Sequence, residues 1–300
     1  MLAIMYHYVR NKRDEYPNFN NLTIDQFRRQ LDFFKNSYGF IRKEDFVSSL
    51  EKKHAIEDGV VLTFDDGFKD HYNNVLPILE EKNLWAFFYV PTGHYQNKKV
   101  LNVHRIHHLL GRYDAEILLA EALNITDISM LNNKKIDEFD KEIYKDQQLS
   151  SYEYRFKRLL NYYLRDEHKT KILDEIMSKY LNEDDIYDKL YLTKKELVEM
   201  EEHGSVIGSH TETHPVLSML SYTQQKREIN NSYSFLSSFL EMQLKSFCYP
   251  YGSPSTYNQD TFKILKESGV HHAFAVNNEP LNTVANRYIL NRVDCNRYIR

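Results

Sequence analysis

Short apolar runs ending in turn residues alternate along this chain with segments of helical period. Leu2 to Val9 predicts a first strand carrying His7 near its end. Thr23 with Gln26 makes a capping box ahead of Phe27, Leu31 and Phe34 at helical spacing, and Gly39 closes that helix. Phe40-Ile41 and Val47 to Leu50 predict a short strand and a connecting helix. The β-branched run Val60-Val61-Leu62-Thr63-Phe64 predicts a buried strand that stops abruptly at Asp65-Asp66-Gly67. Asn74 to Glu81 predicts a helix, and Trp85 to Val90 another buried strand ending at Pro91. Strand, helix and strand in alternation argue for parallel α/β construction.

The pattern changes near Gln96. From there to about Tyr191 the chain is rich in Lys, Asp, Glu and Tyr, with no strand-like run. Phe156, Leu159, Leu160, Tyr163 and Leu164 share one helical face, and Ile172, Leu173, Ile176, Met177, Tyr180 and Leu181 another. Residues 96–191 are therefore expected to be a helical insertion serving as a cap, a lid or a docking surface. His104-x-x-His107-His108 within it is expected on a helix surface. The α/β pattern resumes with Thr193 and Glu196 capping a helix that stops before Gly204, and Ser205 to Gly208 predicts a strand delivering His210. Ser221 with Gln224 caps a helix whose buried face is Ile229, Tyr233, Leu236 and Leu240. A strand over Ser246 to Tyr249, a helix over Tyr257 to Lys266, and strands over Ala273 to Val276 and Tyr288 to Val293 complete the pattern.

Composition narrows the reading. The 300 residues, 42% hydrophobic, are enough for one large domain or a domain with a substantial insertion. A net charge of −4 with both signs interspersed excludes an electrostatic case for nucleic acid. Cys248 and Cys295 lack C-x-x-C spacing, which points to a reducing compartment and away from a disulfide framework. No secretory signal and no apolar run of about 18 residues is found, so a cytoplasmic protein without a transmembrane span is expected.

Two stretches carry the chemistry. Adjacent side chains at a strand end point in different directions, so Asp65 and Asp66 need not share one job. Ser209-His210-Thr211-Glu212-Thr213-His214 supplies two imidazoles four residues apart, and with a carboxylate from a distant strand these form a plausible three-ligand metal site. A zincin helix needs His-Glu-x-x-His, with the glutamate directly after the first histidine. Here it is displaced by one, and Pro215 stops any helix continuing past His214.

Thr63-Phe64-Asp65-Asp66-Gly67, Ser209-His210-x-x-x-His214 and Pro250-Tyr251-Gly252 occur in the order, and at about the spacing, seen in the polysaccharide deacetylases, the NodB-homology carbohydrate esterases. The resemblance covers residues 1–95 and 192–300. It implies a distorted (β/α) barrel of the NodB-homology type with a helical insertion, one divalent metal ion, usually zinc with cobalt or nickel as alternatives, and hydrolysis of an N-acetyl group on an amino sugar. It further implies Asp66, His210 and His214 as metal ligands and Asp65 as the base acting on water at the metal. The backbone N–H near Tyr251, within Pro250-Tyr251-Gly252, would serve the oxyanion.

Three departures from the family pattern matter. Cys248 stands where members often carry an arginine that holds the base; Arg287 and Arg292 are the candidate replacements. The late Leu-x-His acid is missing, since no histidine follows His272. Tyr6-His7-Tyr8-Val9 instead matches relatives resembling exopolysaccharide deacetylases that place the acid on the first strand, making His7 the candidate; His271 and His272 begin a strand rather than end one. The expected substrate is a surface-polysaccharide glycan or its nucleotide- or lipid-linked precursor, and the insertion is a candidate oligomer contact. The alternatives are a catalytically silent glycan-binding relative and an amidase acting on a non-sugar or N-formyl substrate.

Overall fold

The computed structural model of the chain describes residues 1–11, 16–52, 58–132, 144, 149–277 and 286–298. Its chain divides into two compact units, Met1–Asn11 with Asn21–Gln96 and Leu190–Arg300, and Lys12–Asn20 with Asn97–Lys189.

The first unit is a closed barrel of seven parallel strands: β1 (Leu2–Tyr6), β2 (Val60–Phe64), β3 (Ala86–Val90), β4 (Val206–Ser209), β5 (Ser246–Cys248), β6 (His272–Val276) and β7 (Leu290–Asp294). Neighbours follow chain order, and β7 returns to β1 with Ala3 opposite Arg292. Because strand side chains alternate, each strand feeds two cores. Ile4, Tyr6, Leu62, Phe64, Phe88 and Ile207 join one apolar cluster with residues of the surrounding helices, among them Phe27, Leu31, Leu197 and Ile229. The alternate positions Ala3, Val61, Phe87, Tyr89, Cys248, Phe274 and Leu290 make a second cluster, which fills the lumen. The inner phase runs on through Ala3–Met5–His7, Val61–Thr63–Asp65 and Leu290–Arg292. Four polar side chains, His7, Thr63, Asp65 and Arg292, therefore share the inward phase.

The helices at Ile24–Ser37, Lys194–Glu202 and Tyr222–Leu236 begin at the predicted caps Thr23, Thr193 and Ser221, each a complete capping box. Two segments differ from the pattern. Phe40 forms only an isolated bridge to Val60, because the chain turns at once into the Lys43–Lys52 helix, whose Phe46 packs edge-on to Phe87. The helix expected over 74–81 starts earlier, as a π-turn at His71–Val75 that continues as Leu76–Glu81. The wider turn accommodates the fully buried His71, whose Nε2 donates to the His7 carbonyl at 2.9 Å.

The second unit is helical, with helices at Asn102–Arg112, Ala115–Ile125, Ser151–Arg158 and Asp166–Tyr180. The Leu159, Leu160, Ile172, Leu173, Ile176 and Met177 positions picked out by periodicity are all buried. Arg105 is buried as well and forks onto Glu183 at 2.7 and 2.8 Å, the pairing that makes a buried guanidinium tolerable. The expectation for the histidine run is corrected here. His104 and His108 are buried rather than on a helix surface, and the His108 ring meets Tyr16 edge-on and tilts against Phe19. Among the described residues, no helix is long and apolar enough to cross a membrane.

Candidate metal and catalytic centre

At the C-terminal end of the barrel, β2 runs out into Asp65, still held in the ladder by its N–H to the Tyr6 carbonyl. The backbone then turns left-handed at Asp66 (φ 79°) and Gly67 (φ 62°). That turn separates the two carboxylates: Asp65 keeps the inward phase while Asp66 swings toward the loop that follows β4. A side chain at Gly67 would also press on Val90, so glycine is required there on two counts.

The loop after β4 carries His210 and His214. Thr211 (φ 67°) and His214 (φ 61°) are left-handed as well, an unfavourable conformation that the surroundings must enforce. They do so with several bonds. The His214 N–H donates to Thr211 Oγ1 at 3.0 Å, and Gly93 N–H donates to the Glu212 carbonyl at 2.7 Å. Buried Glu228, from the Tyr222–Leu236 helix, accepts the N–H groups of Glu212 (3.0 Å) and Thr213 (2.8 Å) and the Thr213 hydroxyl (2.8 Å). Glu228 escaped the sequence reading, because nothing in a helical period tells a carboxylate gripping a loop from one facing water.

His210 and His214 place their Nε2 atoms 3.7 and 3.6 Å from Asp66 Oδ1, and all three residues are buried. The ligand atoms of this set lie within 4.8 Å of one another. His210 Nδ1 donates to the Cys248 carbonyl at 2.8 Å, so its proton sits there and the Nε2 lone pair faces Asp66. Burial, only partly offset by Asp65 and Asp66, lowers the His210 pKa and favours the neutral, ligating form. Two imidazoles and a carboxylate suit a divalent ion such as zinc. Asp65, His210 and Cys248 form a second cluster of similar size, but burial pushes the Cys248 thiol well up and away from the thiolate a metal needs.

Asp65 faces different neighbours. Its carboxylate is gripped at both oxygens by Arg292, Nη1 to Oδ1 at 2.6 Å and Nη2 to Oδ2 at 2.7 Å. Burial alone would raise the Asp65 pKa; Arg292, then His210 and His7, outweigh it and hold the carboxyl below its usual range. His7 Nε2 lies 4.0 Å from Asp65 Oδ2, with the His7 side chain 40% exposed, so it can face both the carboxylate and an incoming ligand. Of the two arginines, then, Arg292 meets Asp65. Arg287 is exposed and lies over the ring of its neighbour Tyr288, whose hydroxyl accepts from it at 3.1 Å.

Pro250-Tyr251-Gly252 follows β5. Tyr251 (φ 62°) and Gly252 (φ 72°) are consecutive left-handed residues, and a side chain at Gly252 would collide with Val276. The Tyr251 ring stands edge-on to His214 with centroids 5.0 Å apart. His272 lies at the start of β6, at the other end of the lumen.

This barrel, with an Asp-Asp tip facing a His-x-x-x-His loop, defines a class, and comparison with known proteins agrees. The chain belongs to the polysaccharide deacetylase family, whose profile matches residues 52–117 and 166–273, more than half of its length. It is 33% identical over 92 residues to YxkH of Bacillus subtilis (strain 168), itself assigned provisionally as a polysaccharide deacetylase; the match spans 31% of each chain. In fold it is similar to the Streptococcus pyogenes deacetylase PplD, solved in complex with acetate (TM-score 0.59, 21% identity, 98% of this chain and 91% of that one). It is also similar to IcaB from Ammonifex degensii (TM-score 0.57, 16% identity, 97% and 90%).

Proposed function

We infer that this protein is a metal-dependent N-deacetylase acting on an amino sugar of a surface polysaccharide or of its biosynthetic precursor. The observation that carries this reading is the separation of two acids on one strand end: Asp66 facing His210 and His214, and Asp65 facing Arg292 and His7.

Asp66, His210 and His214 would hold the metal. A divalent cation bound there supplies Lewis acidity, making the attacking water easier to deprotonate and polarising the acyl carbonyl. Asp65 takes the proton from that water as the amide carbon is attacked; a carboxylate kept ionised by Arg292 is in the right state to receive it. The backbone N–H of Tyr251, at the left-handed turn, donates to the oxygen that gains charge. His7, half-exposed and within 4.0 Å of Asp65, delivers a proton to the departing sugar nitrogen. The closed, apolar lumen beneath keeps bulk water from approaching these groups from below.

The test is metal content paired with acetate release. Purified protein is analysed for zinc, cobalt and nickel, then assayed on N-acetylhexosamine oligomers and nucleotide sugars beside Asp65→Asn. About one metal per chain, with acetate release lost in the variant but its metal retained, is the expected result. Metal without turnover of any N-acyl substrate would instead indicate a silent glycan-binding relative.

A further inference from the structure

The β1–β2 ladder ends just short of His7. Tyr6 pairs with Phe64 and its carbonyl takes the Asp65 N–H, after which β2 turns away at Asp66. A strand end that loses its neighbour needs other partners for its backbone groups. Here every carbonyl from His7 to Arg10 has one. His71 Nε2 donates to the His7 carbonyl at 2.9 Å, and Asn74 Nδ2 to the Val9 carbonyl at 2.8 Å. The Tyr8 carbonyl between them takes the Leu22 N–H at 3.0 Å, and Asn21 Nδ2 donates to the Arg10 carbonyl at 2.5 Å. Arg10 Nε donates to Asp70 Oδ2 at 2.5 Å. Asp70, His71 and Asn74 all belong to the π-turn and its cap, so one short segment grips His7, Val9 and Arg10.

His71 is the costly member of that grip. It is fully buried among the rings of Phe64, Phe68 and Phe88. Burial lowers its pKa to about 4, which keeps the ring neutral. The carbonyl can only accept, so Nε2 carries the proton, and Nδ1 has no hydrogen-bond partner among the described residues. Phenylalanine would fill this aromatic pocket without a buried orphan nitrogen, so packing alone does not account for an imidazole here.

We propose that His71, aided by Asn74, is a positioning residue for His7, pinning the strand end so that the His7 imidazole stays beside Asp65 and within reach of the sugar nitrogen. This rests on the reading of His7 as the acid, which gives its proton to that nitrogen as the C–N bond breaks and the electron pair leaves with nitrogen. With its side chain 40% exposed, His7 has few side-chain contacts to hold it, and its place is set by the backbone beneath. A displacement of about an ångström at a reacting group costs on the order of 10²-fold in rate.

The experiment is a double-mutant cycle on the metal-loaded full chain, with kcat, KM, metal content and Tm measured for His71→Phe, His7→Gln and the pair. In His71→Phe, kcat is expected to fall about 10- to 10²-fold with KM and metal content unchanged. His71→Gln, whose amide N–H can reach the same carbonyl, should recover most of that loss. In the His7→Gln background, His71→Phe should cost almost nothing more, because two changes acting through one residue do not add. A full additive loss in the pair, or wild-type kcat in His71→Phe, would overturn the proposal and leave His71 a core residue. If His71→Phe does not fold, Asn74→Ala carried through the same cycle decides by the same criterion. Full activity in His7→Gln would overturn the acid reading and this proposal with it. Wild-type protein inactive on every N-acyl substrate would overturn the deacetylase reading itself, a result separate from an active wild type with additive variants.

Discussion

The two ends of the barrel lumen are buried to the same degree and hold opposite chemistry. At the base, His272 Nε2 lies 2.9 Å from Ser246 Oγ, which in turn lies 2.6 Å from the Tyr89 hydroxyl, and the rings of Phe46, Phe87 and Phe274 pack around the imidazole. Burial drives the His272 pKa down to about 3, so the base of the lumen is polar but uncharged. At the tip, Asp65 and Arg292 are just as inaccessible and remain ionised, because each is the other's partner. Burial neutralises a group left without an opposite charge and preserves one supplied with it.

If that contrast is right, the largest effect falls at the tip. His7→Gln should lower kcat by about 10²- to 10⁴-fold with metal content intact, as measured by acetate release and elemental analysis. A loss of bound metal instead would move His7 from the acid role to the ligand set. Next comes the loop that the tip depends on. Glu228→Ala removes the acceptor for two backbone N–H groups, so metal affinity should weaken about 10- to 100-fold in a competition titration, with far-ultraviolet circular dichroism unchanged. The smallest effect belongs to the base. A histidine whose folded pKa lies below its ordinary 6.5 is protonated more readily in the unfolded chain, so stability is level above about pH 6.5 and falls as pH drops toward the folded value. His71, lowered to about 4 by burial, acts in the same direction. Asp65, also lowered, is lost only below its own ordinary value of 3.8. Between pH 6.5 and 4.5 the Tm should therefore decline, and His272→Gln should flatten that decline without touching kcat. An unchanged slope would mean that His272 is not the group that titrates.

Much of this was legible in the residues. Thr23, Thr193 and Ser221 announce their helices through local bonds, and a β-branched run broken by Asp-Asp-Gly announces a strand and its end. The phase of β7 also carried information: Arg292 sits two residues beyond Leu290, on the inward beat, whereas Arg287 precedes the strand and has no assigned face. What sequence could not supply depends on how the elements pack in three dimensions. Glu228 and His71 act by gripping backbone that is distant in sequence, and the burial of His104 and His108 follows from helix packing that a polar residue type does not signal. The Asp66, Thr211 and His214 backbones are left-handed although none is glycine, which runs against the local preference of each.

The pairing of Ala3 with Arg292 joins segments from nearly opposite ends of the chain, and this has a consequence for synthesis. β1 to β3 leave the ribosome with Asp66 already in place, but the two histidines follow only after the whole second unit, roughly a hundred residues and on the order of ten seconds later. For that interval β3 presents an open edge, and the nascent chain holds one of the three residues proposed to hold the metal. A metal held by these three residues would therefore be captured only after β4, and Arg292, which completes the grip on Asp65, follows later still.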